Sequence, residues 1–312
     1  MITTAEIDER INTETVSANG LRFEVDQCGD QSSRKLALCL HGFPEHSVSW
    51  RNQLPMLGEL GYKAWAPNLR GYGNSSILPD MQDYSIENLM ADVGALIDAA
   101  DCDETVLIAH DWGAVIAWFF AMRNIRPLSK LIICNVPHPA AGREGAGLEQ
   151  LKKSWYIFFF QIPGLPEWLI GRRSSDMGEM IRSSSARPEM YPDEVIQVYS
   201  ENARRHGGMT AMVNYYRALF RGGGAKRQRA LGMPVIETPT LMLWGEDDMA
   251  LTKETTYGTE KWVSDFTIRY LPRISHWVQQ DAPKEVNAMM SAFLKGETVP
   301  YMKWHTRLTK RP

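Results

Sequence analysis

The sequence predicts an α/β fold in which a mostly parallel sheet, flanked by helices, is interrupted by an inserted helical block. Three observations carry that expectation. Short apolar runs alternate with helical patterns through the first 135 residues, a stretch rich in Met, Arg and aromatics replaces them from about 140 to 235, and the strand pattern then resumes. A chain of 312 residues is long enough to bury roughly three quarters of its unfolded surface, so a large core is expected.

The opening stretch, INTETVSANGLRFEVDQCG, holds two extended runs joined by Asn19-Gly20, a pair that favours a tight hairpin because both residues tolerate positive φ. Buried strands follow at 35–40 (KLALCL), 62–67 (YKAWAP), 105–108 (TVLI) and 130–134 (KLIIC). Alternation of such runs with helices implies a parallel sheet covered on both faces. After the inserted block, TLMLW at 240–244 and FTIRY at 266–270 continue the sheet. The organisation expected is core residues 1–139, a helical cap or lid at 140–235, and core plus a C-terminal tail at 236–312. The basic run at 221–229 reads as a solvated connector, and the sequence contains no internal repeat or low-complexity tract.

With 44% hydrophobic and 23% charged residues and a net charge of -3, the composition is that of a globular protein without a broad basic surface, which excludes nucleic acid as an expected partner. Cys28, Cys39, Cys102 and Cys134 lack CxxC spacing and read as mostly buried free thiols. The first thirty residues carry no apolar secretory core, so a cytoplasmic location is the default expectation. The greasiest stretch, SWYIFFFQIPGLPEWLI at 154–170, is broken by Gln161, Pro163, Pro166 and Glu167 and is too short to span a bilayer.

The chemistry concentrates in AHDWGA at 109–114. It follows a strand and opens a helix, the setting of a G-x-S-x-G nucleophile elbow, with Ala109, His110, Asp111, Trp112 and Gly113 in the five positions. Taken alone, Asp111 could simply cap the helix that follows. Three further segments argue for more. HGFPE at 41–45 follows a strand and could aim the Phe43 amide, with that of Trp112, at an oxyanion. WGEDD at 244–248 puts acids at a strand end, and ISHW at 274–277 puts His276 in the loop after the next strand. GlyTyrGly at 71–73 lacks the third glycine and the acidic partner of a dinucleotide fingerprint, so no cofactor is expected, nor a metal.

Together with NLRGYGNS at 68–75 and HDWG at 110–113, these segments resemble the α/β-hydrolase superfamily, and within it the soluble epoxide hydrolases and related haloalkane dehalogenases, over residues 20–295. The resemblance implies a triad in the chain order Asp111, Asp248, His276, with Asp248 favoured over Asp247 by motif alignment and Asn135 a weaker candidate for orienting the histidine. It also implies two proton-donating cap tyrosines, matched by Tyr156 in WYIFFFQ and Tyr216 in NYYR, with Tyr215 turned about 100° away on a helix. Phe43, Trp112 and Trp155 are the expected pocket residues.

An aspartate at the elbow suits attack on a saturated carbon, because a carboxylate is ionised without a helper base and forms an alkyl ester. The expected substrates are a small hydrophobic epoxide and water, with the protein a monomer or homodimer. The alternative is a haloalkane dehalogenase, whose leaving halide the Trp112 indole could serve, although such enzymes tend to carry Asn where Phe43 stands. Fluoroacetate dehalogenases fit less well, since positions 112 and 115 are Trp and Val rather than arginines. A non-catalytic ligand-binding member of the superfamily would lack a catalytic group, and none is missing.

Overall fold

The computed structural model describes residues 7–171 and 177–302. Eight strands form one sheet in the order β1-β2-β4-β3-β5-β6-β7-β8: β1 Asn12–Ala18, β2 Leu21–Cys28, β3 Lys35–Leu40, β4 Lys63–Pro67, β5 Glu104–His110, β6 Lys130–Cys134, β7 Thr240–Gly245 and β8 Phe266–Leu271. β1 and β2 form the expected hairpin, with Asn19 and Gly20 at φ 49° and 70°, the left-handed pair of a tight two-residue turn. β2 meets β4 antiparallel, and every pairing from β4 to β8 is parallel.

The period-2 geometry of a strand explains why the central runs are apolar throughout. Leu36, Leu38 and Leu40 of β3, Leu107 and Ala109 of β5, and Met242 and Trp244 of β7 enter a core beneath the helices Ile86–Ala100 and Trp112–Met122. Their neighbours Ala37, Cys39, Val106, Ile108, Leu241 and Leu243 face the other layer, formed by the helices Leu54–Glu59 and Pro283–Lys295. The four cysteines are free, three of them buried and Cys102 half-buried.

Between β6 and β7 the described residues form helices, from Pro139–Gly145 through Leu148–Lys153, Trp155–Phe160, Leu165–Gly171, Met177–Ser184, Asp193–Arg204 and Gly208–Phe220 to Gly224–Ala230, before Ile236 bridges to Val263 on the way into β7. This cap is seated on the core by polar contacts as well as by packing. Tyr215 donates to the Arg70 carbonyl at 2.8 Å, and Arg70 itself lies buried in a two-point ion pair with Asp92. The basic run departs from the expected connector: it forms the helix Gly224–Ala230, held down by buried Gln228 and by Arg227 paired with Glu87 at 2.9 Å. Charge density along the run conceals a single buried polar residue, Gln228. No helix among the described residues is long and apolar enough to cross a membrane.

Candidate active site

Asp111 stands between β5 and the helix Trp112–Met122, with φ 46° and ψ -119°. Its side chain makes no cap to that helix, so the capping role that an aspartate there could have played is not the one it plays. The turn is tight enough to dictate its neighbours. A Cβ on Gly113 would collide with the Leu40 and His41 carbonyls, and one on Gly42 would collide with the Asp111 side chain itself. Glycine at both places therefore lets the loop after β3 close against the elbow.

That closure puts the Phe43 amide 2.6 Å from Asp111 Oδ1. Oδ2 faces His276, with Nε2 at 3.5 Å, and His276 Nδ1 lies 2.6 Å from Asp248 Oδ2. Asp248 is fixed in turn: Oδ1 accepts from the Ala250 and Leu251 amides at 2.7 and 2.9 Å, and Oδ2 accepts from Asn135 Nδ2 at 2.8 Å. Asp248 is buried, whereas Asp247 is exposed. Asn135 orients the acid rather than the histidine, and its own Oδ1 is held by the Gly245 amide at 2.7 Å. The Trp112 amide occupies the first helical position, where no intrahelical carbonyl partners it.

The electrostatics follow from this crowding. Burial alone would raise the Asp111 and Asp248 carboxyls, but His276 against both of them holds each below its ordinary value. Burial would likewise lower His276, and the two carboxylates reverse that and raise it. The resting imidazole is thus drawn toward its charged form by a carboxylate on either side.

From the cap, Tyr216 on the helix Gly208–Phe220 and Tyr156 on Trp155–Phe160 meet edge-to-face, ring centroids 6.0 Å apart. Tyr216 also packs edge-on against Phe43 at 5.4 Å and Trp112 at 4.9 Å, so the two cap rings close over the residues around Asp111. Burial first, and then the Asp111 charge, pushes both hydroxyls up, which keeps them protonated donors at neutral pH. Tyr215, the residue before Tyr216, turns into the core. Trp155 does not join this cluster: it is 65% exposed and leans on Phe159, and the wall expected of it is supplied by Phe160, buried against Phe43 at 5.3 Å.

Two groups escaped the sequence reading although both lie inside quoted motifs. Glu45 is fully buried; its Oε2 takes His110 Nδ1 at 2.7 Å and the Gly42 amide at 3.0 Å, and its Oε1 takes Gln279 and Gln280, each at 3.0 Å. His110 Nε2 then reaches the His276 carbonyl at 2.9 Å. This network ties the loop carrying Phe43 to the loop carrying His276. Apart from the local Gly42 contact, the pairs it joins are 65 to 235 positions apart in the chain, and no local spacing signals them.

A carboxylate at the elbow, a late acid and a histidine, all at the carboxyl ends of parallel strands, define a site of the α/β-hydrolase class, and a family model described as alpha/beta hydrolase fold matches residues 37–283. Epoxide hydrolase 3 of Xenopus tropicalis is 35% identical over 288 residues, covering 89% of this chain and 76% of that protein. Epoxide hydrolase 4 of Mus musculus is 34% identical, covering 91% and 79%. Among solved structures, epoxide hydrolase I of potato (Solanum tuberosum) superposes with a TM-score of 0.79 at 27% identity, over 92% of this chain and 99% of that one. The chain belongs to the α/β-hydrolase superfamily and, within it, to the epoxide hydrolase family.

Proposed function

We propose that the protein hydrolyses epoxides to vicinal diols through an alkyl ester on Asp111. The observation that carries this reading is the elbow carboxylate lying beneath two cap tyrosines whose hydroxyls stay protonated. In the first step Asp111 Oδ2 bonds to an epoxide carbon, the ring C–O bond breaks, and the departing oxygen takes a proton from Tyr156 or Tyr216. In the second, His276 accepts a proton from water as its oxygen adds to the ester carbonyl carbon, and the Phe43 and Trp112 amides bind the oxyanion. Collapse expels the diol oxygen, which takes the proton from His276. The carboxylic acid left on Asp111 then ionises, and its proton restores the tyrosine.

Loss of the Asp111 charge at the ester stage matters for the second step. With one of its two anionic neighbours neutralised, the His276 imidazolium is more acidic than in the resting enzyme; it gives its proton to solvent, stands neutral as the base for the water step, and takes a proton up again once Asp111 is recharged. The aromatic surroundings, Phe43, Trp112, Phe160 and the tyrosines, suit a small apolar substrate. Dehalogenation would require the Trp112 indole N–H to face a leaving halide, and here the Tyr216 ring packs edge-to-face against that indole, centroids 4.9 Å apart.

The test compares diol formation from styrene oxide with halide release from a short bromoalkane on one preparation, with Asp111→Asn as the control. Diol with little halide, lost in the variant, is expected. Halide release exceeding diol formation would overturn the substrate class, and full activity of Asp111→Asn after deamidation is excluded would overturn the nucleophile.

A further inference from the structure

Asp281, which no step above uses, is fully buried, and its two carboxyl oxygens collect donors from two separate parts of the molecule. From the cap, Ser185 Oγ and the Tyr191 hydroxyl bond Oδ1 at 2.6 and 2.9 Å, and the Ala186 amide bonds Oδ2 at 3.1 Å. From the histidine loop, the Ser275 hydroxyl and amide bond Oδ2 at 2.6 and 3.1 Å. Ser275 immediately precedes His276. On its other side Trp277 donates its indole N–H to Ser184 of the cap at 2.9 Å and packs with Tyr191, Val195 and Tyr199. The residues on both sides of the histidine are therefore anchored to one short cap segment, 184–191.

We infer that Asp281 is a positioning residue that couples seating of cap segment 184–191 to alignment of His276, so that ester hydrolysis, rather than alkylation of Asp111, depends on the contact. The split follows from how the cap is held. The helices carrying Tyr156 and Tyr216 are fastened to each other by Arg217, which donates to the Phe160 and Ile162 carbonyls at 2.9 and 2.8 Å and pairs with Glu167, and to the core by Tyr215 on the Arg70 carbonyl. None of those bonds passes through 184–191. Loosening that segment leaves the nucleophile and the proton donors in place and frees only the base. A carboxylate oxygen shared by the two sides transmits displacement directly, because a hydrogen bond to a charged acceptor is short and weakens steeply with misalignment.

The inference rests on the epoxide hydrolase reading, and the experiment separates the two. Alkylation and hydrolysis rates are measured by rapid quench of the whole protein with styrene oxide, reading the Asp111 ester by intact mass. Ser185→Ala, at a half-buried position outside the reacting groups, is expected to alkylate at the wild-type rate, to hydrolyse roughly tenfold more slowly and to accumulate ester. Ser185→Thr, which keeps the hydroxyl, restores hydrolysis. Asp281→Asn, which turns an NH2 toward donors, slows hydrolysis further. Hydrolysis at the wild-type rate in both Ser185→Ala and Asp281→Asn, or equal losses in the two steps, would overturn the coupling while leaving the function intact. Failure of the wild type to form any ester would overturn the function, and the coupling with it.

Discussion

Replacing Asp248 by asparagine isolates the contribution of the acid to the second step. The Ala250 and Leu251 amides at 2.7 and 2.9 Å hold a carbonyl oxygen at the Oδ1 position, so the new NH2 must take the place of Oδ2. There it confronts Asn135 Nδ2 and His276 Nδ1, which in the native protein lie 2.8 and 2.6 Å from an acceptor. Nδ1 must then accept rather than donate, which puts the imidazole proton on Nε2, facing Asp111. An Nε2–H has no lone pair for a water proton. Positioned acid–base groups contribute about 10²–10⁴-fold, and the wrong-tautomer variant of the serine-protease triad loses about 10⁴, so ester hydrolysis should slow roughly 10³–10⁴-fold, about 4–5.5 kcal/mol of barrier. Alkylation, which uses the Asp111 charge and the tyrosines, should fall less than about tenfold by the same reckoning. In a rapid-quench experiment with an epoxide, the variant should show a burst of ester approaching one per enzyme followed by near arrest. Asp247→Asn, altering an exposed carboxylate on the same loop, should turn over normally. Arrest in Asp247→Asn with turnover retained in Asp248→Asn would refute the assignment and the tautomer argument together.

Tyr156→Phe combined with Tyr216→Phe removes both proton donors, and epoxide opening in single-turnover experiments should fall by about 10²–10⁴; wild-type diol formation in the double variant would show that the leaving oxygen is protonated elsewhere. For pH, the lowered Asp111 carboxyl is already ionised on the acid side of neutrality and the raised tyrosines are still protonated on the alkaline side, so alkylation should be flat through the neutral range. Hydrolysis needs neutral His276 and should climb with pH to a plateau, so ester accumulates as pH falls; parallel pH profiles for the two steps would contradict this. Trp155→Ala, at a side chain 65% exposed, should change kcat/KM by less than about twofold, within the ordinary effect of a surface substitution, and a larger loss would return Trp155 to the pocket.

The parts of this protein that could be read from sequence are those whose constraints are local. Buried strands announce themselves as apolar runs because both faces of the sheet are covered, and Gly113 follows Asp111 by two residues because the elbow leaves no room for a side chain there. The hairpin at Asn19-Gly20 follows from two residues' φ preferences. What could not be read depends on distant partners or on rotation of a helix about its axis. In WYIFFF every position is apolar or aromatic, so no stripe marks which face turns inward; Tyr156 and Phe160, four apart, take the inner face and Trp155 the outer. Glu45, His110 and Asp281 acquire their roles only when loops from β3, β5 and β8 converge at one end of the sheet.

That convergence bears on why the same nucleophile serves one electrophile better than another. Displacement at carbon needs the attacking and leaving atoms roughly in line, so a core-mounted carboxylate requires its leaving-group donors to come from the opposite side. A halide departs as a free anion and is stabilised by N–H groups beside the nucleophile, such as the Trp112 indole. An epoxide oxygen stays attached to the skeleton and must be protonated by a group above it, which only the cap supplies. Here the Trp112 indole packs edge-to-face with the Tyr216 ring, centroids 4.9 Å apart, so the group that would serve a halide and the group that serves an opening ring stand side by side near Asp111. With both cap hydroxyls held protonated beside the nucleophile, the site favours protonation of an opening ring over capture of a free anion.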